Sequence, residues 1–295
     1  LFVRNCYNVY IAENNIKSNA YNSIDLKKTE KLHIQANKLY NNSNYLNSGI
    51  ISDDSCLYIK IDSNEIINFT NGIFSKLEFS SDSIFRNYIK TRSVGISVNG
   101  DSGIVRQNII DTSTLINAIN VSGNNLKILQ NKIINLTQSK GINITGSKNL
   151  VANNFVSIGG LGVAKGIVLN SNTKLNNIIH NSINIYSSDQ INGRGIEILG
   201  GDTFVIKNNI FCNTGNGFAS YLQSKPLATS WDYNVYYSPL KKIGWYNNIT
   251  YDTLSNWATL LSGDANSMFI NPFYVSNVNL RPNQRFINGA GLLYP

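Results

Sequence analysis

An asparagine that returns every 21–28 residues constrains this chain of 295 residues more than any other feature. An aliphatic residue stands three positions before it, and Ile or Val often follows. The pairs are Ile11–Asn14, Ile34–Asn37, Ile61–Asn64, Ile84–Asn87, Val105–Asn108, Ile128–Asn131, Val151–Asn154, Ile178–Asn181 and Ile206–Asn209, with Trp231–Asn234 as a last version. A second motif follows each Asn: a small residue, Ile, any residue, then an aliphatic. It reads Gly95-Ile96-Ser97-Val98, Ala118-Ile119-Asn120-Val121, Gly141-Ile142-Asn143-Ile144, Gly166-Ile167-Val168-Leu169 and Gly195-Ile196-Glu197-Ile198. Ser23-Ile24 and Gly72-Ile73 are earlier counterparts, and Gly217-Phe218 is a later one.

Alternation over segments this short means strands with one buried face, not amphipathic helices. Leucine-rich repeats need a Leu-x-x-Leu-x-Leu frame, which is absent, and propeller blades need about 40 residues. A parallel β-helix fits, with one coil per repeat and like strands stacked about 4.8 Å apart. Asn suits a coil corner because it tolerates the left-handed backbone. Its amide also carries donors and an acceptor, so stacked copies can bond as a ladder. Ile96, Ile119, Ile142, Ile167, Ile196 and Phe218 form the expected inward column. The expectation is an all-β solenoid of about ten coils over residues 1–238, closed by a capping segment over 239–295.

Pro239, Pro272, Pro282 and Pro295 lie in that last segment. Within it, Asp252 to Gly263 reads as one short helix. Asp252 or Thr253 caps its start, Leu254, Trp257 and Leu261 share a face, and Gly263 stops it. At the other end the first coil starts near Val3, and an open sheet edge invites pairing. The chain opens on Leu-Phe-Val-Arg, without Met or a leader pattern. The expectation is therefore that preceding residues, or flanking domains of the same polypeptide, cover that edge.

Composition removes several classes. The chain is 42% hydrophobic, 14% charged and carries a net charge of +8. Asn fills roughly one position in six, far above average usage. Disorder is excluded by the apolar content. A membrane-spanning helix is excluded because no apolar run reaches about 18 residues. Cys6, Cys56 and Cys212 are odd in number and far apart, which reads as buried free thiols rather than a disulfide framework or a zinc site. His33 and His180 lie in no recognisable motif, and no metal or cofactor motif is found. The positive charge is spread without a basic run, so nucleic acid is not an expected partner.

The segments Asn208-Asn209-Ile210-Phe211, Trp231-Asp232-Tyr233-Asn234-Val235-Tyr236-Tyr237, Leu254-Ser255-Asn256-Trp257, Gly263-Asp264-Ala265-Asn266-Ser267-Met268 and Asn271-Pro272-Phe273 resemble the secreted right-handed parallel β-helix proteins of the pectate-lyase-like superfamily. More narrowly, with the ending Asn279-Leu280-Arg281-Pro282 to Ile287-Asn288-Gly289-Ala290-Gly291, they resemble the secreted and cell-surface β-helix proteins of Bacteroidetes. The resemblance implies a right-handed coil, an extracellular location and export by the type IX system. It does not imply one activity, because the fold hosts lyases, hydrolases, epimerases and non-catalytic adhesins.

In such a coil the residue before the small-Ile strand is Val94, Asn117, Lys140, Lys165, Arg194 and Asn216 in successive repeats. Lys140, Lys165 and Arg194 would stack about 4.8 Å apart, a repulsion of roughly 1 kcal/mol per pair in water. Glu197 projects outward close by and offsets part of it. This column is the candidate subsite for an acidic polysaccharide or surface glycan. A lyase of this fold needs a basic residue to take the proton beside a uronate carboxylate, a role open to Lys165 or Arg194. No cluster of acidic ligands for Ca²⁺ is found. Asp53-Asp54 would point to opposite faces if extended, and Asp189, Glu197 and Asp202 are scattered rather than paired as a hydrolase requires. Tyr233, Tyr236, Tyr237, Trp245 and Tyr246 are expected to pack between cap and coils. Asp82-Ser83-Ile84 and Asp252-Thr253-Leu254 resemble the Bacteroidetes O-glycosylation motif. The functional expectation is a non-catalytic extracellular stalk or adhesin module that binds glycans. The alternative is a polysaccharide lyase or glycoside hydrolase acting on acidic polysaccharide.

Overall fold

The computed structural model describes residues 1–19, 21–43, 46–53, 55–111, 116–227 and 229–292. Asp54 and Pro295 lie outside the described residues. The chain winds as a right-handed parallel β-helix; the first two coils run their first two faces as the single strands Phe2–Ala12 and Ile24–Gln35, and from Ser48 onward the regular coils contribute three short strands each. The first face runs from Ser48–Ser52 through Asn71–Lys76, Val94–Asn99, Asn117–Val121, Lys140–Ile144, Ala164–Leu169 and Gly193–Ile198 to Phe218–Leu222. The second runs from Leu57–Asp62 to Ser230–Asp232, and the third from Asn15–Ser18 to Val235–Tyr237. Every one of these strands pairs in parallel with its counterparts in adjacent coils.

The expected asparagine ladder is present and unbroken. Asn14, Asn37, Asn64, Asn87, Asn108, Asn131, Asn154, Asn181, Asn209 and Asn234 each donate from Nδ2 to the Oδ1 of the next, at 2.9–3.1 Å, as far as Asn234. Asn131 shows the full set of bonds. Its Oδ1 accepts from both the backbone N–H of Asn108 (3.1 Å) and Asn108 Nδ2 (3.0 Å). Its Nδ2 donates to Val105 O and Asn154 Oδ1, each at 3.0 Å. These groups are buried, so each bond replaces water that cannot reach them.

The left-handed corner, however, belongs to the residue before the ladder Asn. Glu13, Ala36, Ser63, Arg86, Gln107, Gln130, Asn153, His180, Asn208 and Tyr233 all have φ between 53° and 58°. The expectation that Asn itself takes this conformation is corrected. The ladder needs the Asn amide pointing along the axis inside the coil, whereas the left-handed residue turns its side chain outward.

The inward column is Ile24, Ile50, Ile73, Ile96, Ile119, Ile142, Ile167 and Ile196, each fully buried and in register. The small residue before each Ile is set by close approach: a Cβ on Gly166 would lie 2.3 Å from Gly195 O. One assignment fails. Ile196 pairs with Ser220, and Phe218 pairs with Arg194 instead of entering the inward column. The side chain of Asn213 holds the intervening turn, accepting from Gly217 N at 3.1 Å and donating to Phe218 O at 3.1 Å. The strand therefore starts two residues later than the motif suggests. Cys56 and Cys212 are buried free thiols as expected, but Cys6 is exposed.

Parallel stacking goes on past residue 238, through Gly244–Tyr246 on the first face and Met268–Phe269 on the third. Between them α1 (Leu254–Leu261) closes the end of the interior. Thr253 caps it, and Trp257 is fully buried edge-on to Trp231 and Tyr251. The left-handed stop is Ser262, not Gly263. Gly263 is required for another reason, since a Cβ there would lie 2.5 Å from Trp231 O. The hairpin of Tyr274–Ser276 and Asn279–Pro282 then turns back along the outside of the third face. Asn184 Nδ2 donates to Asn277 Oδ1 at 3.0 Å, Ser157 Oγ donates to Asn277 O, and Tyr274 OH donates to Ile183 O.

Asp264 terminates the ladder. Its Oδ1 faces Asn234 Nδ2 at 3.4 Å and accepts from Ser267 Oγ, and its Oδ2 accepts from Tyr236 OH at 2.7 Å. A carboxylate only accepts, so it ends a chain of donors. Burial outweighs these bonds and pushes the Asp264 carboxyl up to about 6. Three outcomes follow. Asn131→Ala should cost about 3 kcal/mol or more in chemical denaturation, because several buried groups lose partners. Gln130→Asn should be neutral or slightly stabilising, because Asn accepts the left-handed corner. For Asp264, the folded value lies above the unfolded one. Its favourable contribution is therefore complete below about pH 4 and lost as pH rises through about 6. Thermal melts between pH 4 and 7 should show a slope of this sign, on the order of 2–3 kcal/mol in total, that Asp264→Asn flattens.

Candidate functional site

The outward face of the first sheet carries two neighbouring columns. Asn117, Lys140, Lys165, Arg194 and Phe218 are successive register partners. Ser97, Asn120, Asn143, Val168, Glu197, Tyr221 and Trp245 form the second, three residues further along each strand. The structure thus brings Lys140, Lys165, Arg194 and Glu197 together, as the repeat spacing predicts. The column differs only at its end, where Phe218 stands in place of Asn216.

Within this group the charges are largely mutual. Lys165 Nζ lies 2.6 Å from Glu197 Oε2, and Arg194 Nη1 is paired with Glu197 Oε1. Glu197 is fully buried, and Arg194 is nearly so at 8% exposure. One carboxylate therefore bridges two cations that would otherwise repel. Arg194 is held from its other sides as well. Its Nε donates to Ile191 O at 3.3 Å, and its guanidinium carbon lies 3.4 Å from the centre of the Tyr221 ring. Tyr221 stacks in turn on Trp245, with centroids 4.3 Å apart and planes 2° from parallel. Asp189 shapes the loop that supplies Ile191 O. It accepts from the N–H groups of Ile191 and Asn192 and from Asn192 Nδ2, and the Asn192 N–H in particular holds its carboxyl below the usual carboxylate range.

Lys140 is the open end of this group, half-buried with its Nζ 3.4 Å from Asn143 Oδ1. Beside it runs a second, shorter amide series: Asn170 Nδ2 donates to Asn143 Oδ1 (3.0 Å), and Asn143 Nδ2 to Asn120 Oδ1 (2.9 Å). This face combines the accessible Lys140 ammonium, a strip of carboxamides and half-buried aromatic rings.

Other candidates have structural work. Asp82 is buried and accepts from the N–H groups of Ile59, Glu78 and Phe79. Asp202 accepts from Thr203 N. Tyr236 is fully buried under the cap, and Tyr237 stacks on Phe269. Among the described residues no group of three His, Cys, Asp or Glu is placed to hold a metal ion, and no helix is long and apolar enough to cross a membrane.

One feature escaped the sequence. A cavity of about 550 Å³ lies between the second face and the C-terminal end of α1, lined by Lys207, Lys225, Thr229, Ser230, Trp231, Asp232 and Ser262 among others. Its residues come from three separate segments, and only the coil-to-coil pairing of Lys207 with Asp232 was implicit in the repeat.

Replacing Glu197 by Gln should leave Lys165 and Arg194 without their shared counter-charge. The expected loss is about 3–5 kcal/mol in urea unfolding, against less than about 0.5 kcal/mol for Lys140→Ala. No family model, curated protein or solved structure matches this chain.

Proposed function

We propose that this chain is the β-helix module of a larger secreted or cell-surface protein, a stiff stalk or adhesin unit that holds acidic polysaccharide or surface glycan on its outer face without transforming it. Membership of the pectate-lyase-like superfamily and kinship with the exported β-helix proteins of Bacteroidetes belong to the same proposal. They rest on the C-terminal segments quoted above.

The observation that carries the reading is the mutual neutralisation of Lys165, Arg194 and Glu197. Two of the three basic residues are committed to a buried carboxylate. The face beside them offers Lys140 and the half-buried Asn120 and Asn170 amides, joined through the buried Asn143, which suit contact with a hydroxylated, negatively charged polymer. The ladder supports the mechanical half of the reading. Ten rungs at about 4.8 Å make a bonded axis some 45 Å long.

The test is retention on immobilised polygalacturonate at low ionic strength, with a neutral galactan as control. The protein should be retained only by the acidic polymer and released by salt, since exposed charges are screened. Lys140→Ala should lower retention several-fold, and no unsaturated product should absorb in solution. Product formation that disappears in Lys165→Ala or Arg194→Ala would instead establish the lyase alternative.

A further inference from the structure

We propose that the cavity between the second face and α1 is a binding site for an acidic sugar residue, separate from the outer face described above. Lys207 and Lys225 both line it, and neither makes a salt bridge among the described residues. The carboxylate of Asp232 is the negative group of the lining, and it is already committed. It accepts from Asn266 N and Asn266 Nδ2, each at 2.8 Å, and from Tyr233 N at 2.9 Å. Two ammonium groups against one engaged carboxylate leave the cavity net positive, which selects a negatively charged ligand.

The rest of the lining selects hydroxyls. Thr229 Oγ1 is buried with no hydrogen-bond partner among the described residues, and Ser230 and Ser262 add two further hydroxyls to the lining. Leu261, Ser262 and Gly263 bring in the C-terminal end of α1. Of the last four helix carbonyls, Ala258 O and Thr259 O are taken by the cap N–H groups. Of the remaining two, Leu261 lines the cavity, and its carbonyl is an acceptor for a ligand O–H group. Leu227, 93% exposed at the rim, offers an apolar surface for the C–H face of a sugar ring. A ligand with one carboxylate, several hydroxyls and an apolar ring face meets all three demands. The volume lies inside the ~300–1,000 Å³ range of small-molecule sites.

The cavity has a fixed frame. Trp231 forms part of it from a strand paired with Val205–Lys207, and Gly263 is packed against Trp231 O. The site is therefore built between the last coils and the helix that closes them.

The experiment is titration of the whole protein with digalacturonate and with the matching neutral disaccharide, followed by calorimetry and by ligand-observed NMR. Digalacturonate should bind at least tenfold more tightly than the neutral sugar. Lys207→Gln and Lys225→Gln should each weaken it by about tenfold, the equivalent of one charge-assisted hydrogen bond. Lys140→Ala should leave this affinity unchanged, which keeps the test independent of the outer-face proposal. Unaltered melting temperatures of the two variants would show that the loss is local. Equal affinity for both sugars, no binding of either, indifference to both lysine replacements, or a loss confined to Lys140→Ala would each overturn the assignment.

Discussion

Everything in this molecule depends on one buried bond repeated along an axis: a carboxamide giving its proton to the carboxamide of the next coil. Each interior rung links neighbouring coils through side chain and backbone at once, as Asn131 does with Asn108, Val105 and Asn154. A corner held in the left-handed region by a residue other than Gly costs roughly 1–2 kcal/mol. The coil has ten such corners beside the ladder, occupied by residues as unlike as Glu13, Arg86 and Tyr233. Several buried hydrogen bonds per rung, each worth about 1 kcal/mol net, offset that strain. Sharp corners and unbroken ladder are therefore two sides of one arrangement, and side-chain identity at the strained position is left free.

The same distinction explains what could be read from the amino-acid order. The ladder and the Ile column recur because each position meets a copy of itself, and self-contact imposes one residue type. Asn14 to Asn234 and Ile96 to Ile196 were legible for that reason. The left-handed position was not, because its side chain points outward and nothing selects its chemistry. Phe218 was misplaced because the amide of Asn213 rebuilds a turn that the motif treats as regular. Ser262 was overlooked because a following Gly usually marks a helix stop, whereas Gly263 is there to let the chain pass Trp231.

The candidate sites divide along the same line. The Lys140, Lys165, Arg194 and Glu197 group lies within the repeat, so register alone located it. What register did not reveal was depth. Glu197 is fully buried, and the loop shaped by Asp189 and the Tyr221 ring enclose Arg194. The cavity at Lys207 and Lys225 arises where the repeat ends and α1 is laid across it. Sites made by such irregular closure have no periodic trace in the sequence.

The ladder also has a direction. Every amide hands its hydrogen the same way, from Asn14 toward Asn234, until a carboxyl group that cannot pass it on brings the relay to rest at Asp264. Any interior junction is chemically interchangeable with the next, while the sealed terminus is unique. A whole turn of chain can thus be duplicated or lost between Asn37 and Asn209 without creating a new kind of contact. Overall reach is the property that this architecture leaves open to evolutionary adjustment, and the identity of its closed end is the one it fixes.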